Sequence, residues 1–132
     1  MGKPIFLTGL PLASISPVTL RLPSTSSSAE NNNLDIDIKG INPLASFKLI
    51  TKNWPATLTF YIQEMLKYNI LASDRCYANF KHDNKSLQIY KSACEKVFEK
   101  IAKLEKKGRI ENSLDGPIKQ MGFNRHTDFK YF

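Results

Sequence analysis

LDIDIKGINPLASFKL, residues 34–49, is the stretch on which the fold turns. Leu34, Ile36 and Ile38 alternate with Asp35, Asp37 and Lys39, so an extended chain presents one apolar and one charged side, the period-two signature of a half-buried strand. Gly40 interrupts the pattern. It resumes with Ala45, Phe47 and Leu49 on one side and Ser46 and Lys48 on the other, which predicts a second strand.

Toward the carboxy terminus, Pro55 suits the first turn of a helix, where its missing N–H is harmless. Leu58, Tyr61, Ile62, Met65 and Leu66 then recur at helical spacing, with Asn69 as the stop, so the pattern predicts a helix over residues 55–68. After the short apolar run at residues 70–72, Cys76, Ala78 and Phe80 alternate with Tyr77, Asn79 and Lys81, which predicts a third strand bent near Ser73 and Asp74. Asp83 or Asn84 can cap the following helix. Its stripe is Leu87, Tyr90, Cys94, Val97, Ile101 and Leu104, and Gly108 closes it. The opposite side carries Lys91, Lys96, Lys100, Lys103, Lys106 and Lys107, with Glu99 and Lys103 as an i,i+4 pair.

Toward the amino terminus, STSSSAENNN at residues 24–33 contains no large apolar side chain and reads as a mobile linker, because such a segment cannot offset its ordering entropy by burial. It divides an extended segment, residues 1–23, from a domain over residues 34–132. In that first segment Val18, Leu20 and Leu22 alternate with Thr19 and Arg21 as a short strand would. At the other end the chain is irregular beyond Gly116 and Pro117 but aromatic, with Phe123, Phe129, Tyr131 and Phe132 expected to pack on something. The expected architecture is α+β: a small three- to four-stranded sheet with two main helices on one face and an irregular C-terminal tail. The second sheet face is then either solvated or docked on a larger partner.

Composition narrows the function classes. The 132 residues are 42% hydrophobic and 11% aromatic, enough for one core and too apolar for disorder throughout. Two cysteines make no disulfide-stapled miniprotein and favour a reducing cytoplasm. No apolar run approaches the ~18 residues a membrane span needs. The run from Pro4 to Leu20 is broken by Pro4, Gly9, Pro11 and Pro17, which suits an extended segment better than a secretion signal. The net charge of +7 is concentrated after residue 66 and is mainly lysine. Because those lysines alternate with Glu95, Glu99, Glu105 and Glu111, they read as a solvated face; nucleic-acid or acidic-partner binding through helix 85–107 is the alternative.

The inventory for catalysis is thin. His82 and His126 are the two histidines, and neither stands in zinc-binding spacing with Cys76 or Cys94. Cys76, His82 and Asp83 are close enough in sequence to compose a nucleophile, base and orienter, yet a cysteine in an alternating strand reads first as a small core residue. The six glycines are isolated, so no phosphate-cradling loop is visible. Arg75, Tyr77, Phe80, Lys81 and His82 mix aromatic with basic residues, as single-strand nucleic-acid platforms do, but Tyr77 and Lys81 fall on one strand face and Phe80 on the other.

Taken together, GINPLASF at residues 40–47, FYIQEMLKYNILAS at residues 60–73, the His82–Asp83 helix start and GPIKQMGFNR at residues 116–125 resemble the C-terminal small domain of class III, fold type I aminotransferases. The most similar branch is the glutamate-1-semialdehyde 2,1-aminomutase-like one. The resemblance implies a fragment that shapes a substrate pocket and packs on a large domain, in an enzyme that transfers or relocates an amino group with pyridoxal phosphate. It also implies that the Schiff-base lysine and the cofactor lie in that large domain, so no catalytic residue is nominated and the chain alone should be inactive. Lys48, flanked by apolar residues, is read as an outward-pointing strand residue. Arg75 and Arg125 are the residues that would contact a substrate carboxylate, since a guanidinium can bind one in a bidentate manner. The implied partners are the large domain or a second copy of this chain. Residues 24–33 have no counterpart in that family, and GLPLASI at residues 9–15 echoes residues 40–47, by duplication or by chance.

Overall fold

A computed structural model describes residues 23–41, 44–77 and 82–122. In chain order these form α1 (Pro23–Asn31), β1 (Ile36–Ile41), β2 (Leu44–Leu49), α2 (Trp54–Leu66), β3 (Arg75–Tyr77) and α3 (Asn84–Lys107), followed by a 3-10 turn at Glu111–Ser113. The three strands make one antiparallel sheet in the order β1-β2-β3. The fold is therefore α+β, as the patterning predicts. The strand expected at residues 18–22, the part of the third strand beyond Tyr77 and the aromatic tail from Phe123 lie outside the described residues.

Local chemistry explains where the elements begin and end. Asn53 caps α2 by accepting from the Ala56 N–H, and Pro55 lies in the first turn. Asp83 does the same for α3, accepting from the Ser86 N–H at 2.7 Å. All three helices close with one device. Asn33, Asn69 and Gly108 adopt positive φ, at 54°, 58° and 62°. The next residue's N–H then reaches back to the carbonyl five positions earlier, from Leu34 to Ala29, Ile70 to Met65 and Arg109 to Leu104. Gly40 is needed for a different reason, since its φ is 109° and a side chain there would run into the Leu44 carbonyl.

Alternation along β2 buries Ala45, Phe47 and Leu49 and leaves Lys48 exposed. Phe47 is the hub. Its ring meets Tyr61 of α2 edge-on at 5.4 Å and Trp54 at 6.1 Å, and lies tilted against Phe98 of α3 at 6.3 Å. Such pairs contribute about 0.5–1.5 kcal/mol each beyond simple area burial. One triangle of rings thus joins the sheet to both long helices, with Leu58, Met65, Val97 and Ile101 fully buried around it.

One expectation is overturned. Residues 24–33 do not form a mobile linker: most of them are helical in α1, which packs along α3. The run lacks large apolar side chains, but Thr25, Ser28 and Ala29 share one helical face and are buried. Small side chains let the two backbones approach closely, and the buried polar atoms are satisfied across the contact and within α1. The Thr25 hydroxyl bonds that of Tyr90 at 3.1 Å, and Ser26 donates to Glu30 at 3.3 Å. Burial here replaces greasy bulk with close approach.

Beyond Gly116 the described chain, to residue 122, is irregular, as expected, and the stretch that follows α3 is strapped to α2. Gln63 of α2 donates to the Ser113 carbonyl at 3.1 Å and accepts from the Asp115 N–H at 2.8 Å, and Thr59 accepts from the Lys119 N–H at 2.8 Å. Neighbouring Glu64 is almost fully buried and accepts from Lys100 of α3 at 2.6 Å and from Lys67. Burial alone would raise its carboxyl, but these two ammonium groups outweigh it and hold the pKa below the usual value.

The sheet's second face, which the patterning left either solvated or docked on a partner, is not uniformly apolar. Cross-strand partners lie on one side of a sheet, so this face consists of three rows. Asp37 and Lys48 form one, Lys39, Ser46 and Arg75 the next, and Ile41, Leu44 and Tyr77 the last. Only the last row is apolar, with exposures of 69%, 40% and 61%.

Candidate functional site

A cleft of about 570 Å³ opens between the end of α2, β3 and the first turns of α3. Its position follows from the helix-ending turn at Asn69. Having left α2, residues 69–73 run as irregular chain along one side of the cleft before the Ser73 hydroxyl, bonded to both the N–H and the carbonyl of Arg75, sets the bend into β3. The predicted bend at Ser73 and Asp74 is present. On the far side, the Asp83 cap fixes where α3 begins and so places His82, Ser86 and Leu87 on the opposite wall.

Tyr61 and Tyr90 also line the cleft, and their hydroxyls are 3.4 Å apart. Burial pushes both phenols well above their ordinary range, so they stay neutral donors and acceptors. Cys76 faces the same space. Its thiol is pushed up to about 11 by burial, as is that of Cys94 beneath it. A thiol held in that state is a poor nucleophile. Cys76 and His82 do come to one cleft, while exposed Asp83 is engaged as a helix cap rather than as an orienter of His82. Cys76 therefore sits in the partly buried strand position that the alternation implies.

Arg75 lines the cleft on an exposed strand position. The other nominated carboxylate contact, Arg125, lies outside the described residues, as does His126. Among the described residues no three metal-ligating side chains converge. No helix there is long and apolar enough to cross a membrane. Every described lysine is exposed, Lys48 included, so these residues do not fit the sheltered amine that pyridoxal phosphate requires. Half of the six lysines on the outer side of α3 are engaged within the domain. Lys100 holds Glu64, Lys103 pairs with Glu99 at 2.5 Å, and Lys96 lies 5.8 Å from the centre of the Tyr68 ring.

The Gln63 strap, the Thr25–Tyr90 bond and the cleft itself had no sequence signature. Each joins residues far apart in the chain whose types are ordinary for their elements. Compared with protein-family models, with curated proteins and with solved structures, the chain matches none.

Proposed function

We propose that residues 34–132, together with α1, act as the small domain of a pyridoxal-phosphate-dependent class III aminotransferase or aminomutase. Its large domain holds the cofactor and does the chemistry. The small domain contributes packing surface and one wall of the substrate pocket, and it is inactive alone. One observation carries the reading. The segments that bear the resemblance, far apart in sequence, meet around one core and one cleft. Phe47 of GINPLASF packs on Tyr61 of FYIQEMLKYNILAS, and Tyr61, residues 70–73 and His82 line the same space. Further support comes from QEMLK, whose Gln63 and Glu64 tie α2 to the tail segment and to α3.

The surface a large domain would cover is the exposed apolar row Ile41, Leu44 and Tyr77. Contiguous apolar exposure of this kind marks interaction sites. The test has two arms. Purified chain supplied with pyridoxal phosphate and an amino acid is expected to show no amino-group transfer, and unaided turnover overturns the proposal. In sedimentation the chain is expected to self-associate with rising concentration, and Leu44→Asp with Tyr77→Ser to suppress that. A wild-type chain that remains monomeric at high concentration removes the surface on which the reading relies.

A further inference from the structure

We propose that the outer edge of β1 seats a two-fold dimer, in which β1 of one copy pairs antiparallel with β1 of a second and Ile38 lies on the axis. This goes beyond the aminotransferase reading and does not rest on it. The edge is a different surface from the apolar row of the outer sheet face, and the resemblance gives it no role.

Backbone geometry comes first. β1 ends the sheet, and among the described residues it pairs with β2 alone. The Ile50 N–H bonds the Asp35 carbonyl, while the Phe47 N–H turns the other way, to the Asp74 carbonyl just before β3. Bonded and unbonded pairs alternate along an antiparallel ladder, so the main-chain groups of Asp37, Lys39 and Ile41 address β2. Those of Ile36, Ile38 and Gly40 then point off the edge. A row of N–H and C=O groups of that kind is a template for another strand.

Charge selects which strand. With Ile38 opposite the partner's Ile38, Ile36 meets the partner's Gly40, so every outward group of one edge finds its complement on the other. The same register sets Asp37 opposite the partner's Lys39 and Lys39 opposite the partner's Asp37, at the unbonded pairs where side chains stand closest. Within one strand the two side chains already meet, Lys39 Nζ lying 3.2 Å from Asp37 Oδ2. A slip of two residues in either direction would place Asp37 against Asp37 or Lys39 against Lys39, which is penalised. A lysine alone on an edge repels a copy of itself, whereas the order Asp37, Ile38, Lys39 makes this edge complementary to itself. On the inner face, Ile36 and Ile38 are only partly buried against the core and gain cover from their counterparts.

The test is amide exchange followed by NMR on the full chain from about 10 µM to about 1 mM, the range in which so small an interface forms. Protection at Ile36, Ile38 and Gly40 is expected to rise with concentration from near the open-chain value. Asp37→Lys and Lys39→Asp should each weaken the pairing at least about tenfold, because each sets like charges opposite one another on both sides of the axis. A one-to-one mixture of the two variants should regain it, as should the double variant Asp37→Lys with Lys39→Asp, since opposite charges face one another again. Thermal melts check that the variants fold. Protection equal at every concentration would give the edge to another segment of the same chain, and none at about 1 mM would leave it unpaired. Either result overturns the proposal, as do single variants that pair like the wild type or a mixture that does not regain protection. In Leu44→Asp with Tyr77→Ser, which removes association through the apolar row, protection of these amides should persist, and its loss would also overturn the edge dimer. Unaided turnover, which would end the aminotransferase reading, leaves all of these outcomes as they are.

Discussion

The hydroxyl of Thr25 lies 3.1 Å from that of Tyr90, 65 residues away in sequence, and this contact pins α1 to α3 at the edge of the cleft. Tyr90 in turn reaches Tyr61 at 3.4 Å, so three helices share one partly buried polar line. Thr25→Val keeps the volume but removes the bond. It should cost about 1 kcal/mol in urea unfolding, and a double-mutant cycle with Tyr90→Phe should return a coupling of about 0.5–1.5 kcal/mol. Amide exchange over α1 should accelerate in both single variants. A coupling near zero would mean that α1 is held by packing alone.

Glu64 makes stability fall in acid. Its folded pKa is below the ordinary value of 4.5, so its ion pairs contribute fully above that value and are lost as pH drops through the lower, folded one. Lys67 and Lys100 are about half exposed, at 55% and 50% of their side chains, and solvent screens part of the attraction. Glu64→Gln should therefore lose roughly 1–3 kcal/mol at neutral pH and show a shallower decline in denaturant midpoint below about pH 4.5 than the wild type. Parallel declines in the two proteins would remove Glu64 as the cause.

The helix-ending turn at Asn69 positions one wall of the cleft, and its φ of 58° is tolerated by asparagine and best suited to glycine. Asn69→Gly should leave stability unchanged or raise it by a few tenths of a kcal/mol, while Asn69→Ala should cost about 1 kcal/mol. Thermal melts of the pair give the order directly. The reverse order would mean that the Asn69 side chain, rather than its backbone angle, matters.

Thiol reactivity separates core from catalysis. With both thiols raised to about 11, iodoacetamide should modify Cys76 roughly 100-fold more slowly than a free cysteine at pH 8, and Cys94 more slowly still because it is fully buried. Mass spectrometry over a time course measures both. Labelling of Cys76 at the free-cysteine rate would restore it as a nucleophile beside His82.

The long elements were legible because their signals are local and redundant. In α3 the Asp83 cap, the stripe from Leu87 to Leu104 and the Gly108 stop all agree, and the helix runs from Asn84 to Lys107. The hairpin followed from alternation, and the α2 boundaries from Pro55 and Asn69. Helix α1 was not legible, since serine, threonine and asparagine ordinarily favour caps and loops and the segment's own propensity is weak. Packing on α3 is what offsets that weak propensity. The candidate site was half legible: Arg75, Cys76 and His82 stood out by type, but their gathering around Tyr61 and Tyr90 depends on contacts between elements. The Gln63 strap joins residues 50 positions apart and has no local trace.

The outer side of the sheet reads differently at its two ends, oily along Ile41, Leu44 and Tyr77 and ionic along Asp37 and Lys48. That gradient gives the surface a direction. Anything that settles there must present its own grease to the Tyr77 end and its polar groups to the other, so the strands act as a compass that admits one heading and penalises the opposite one.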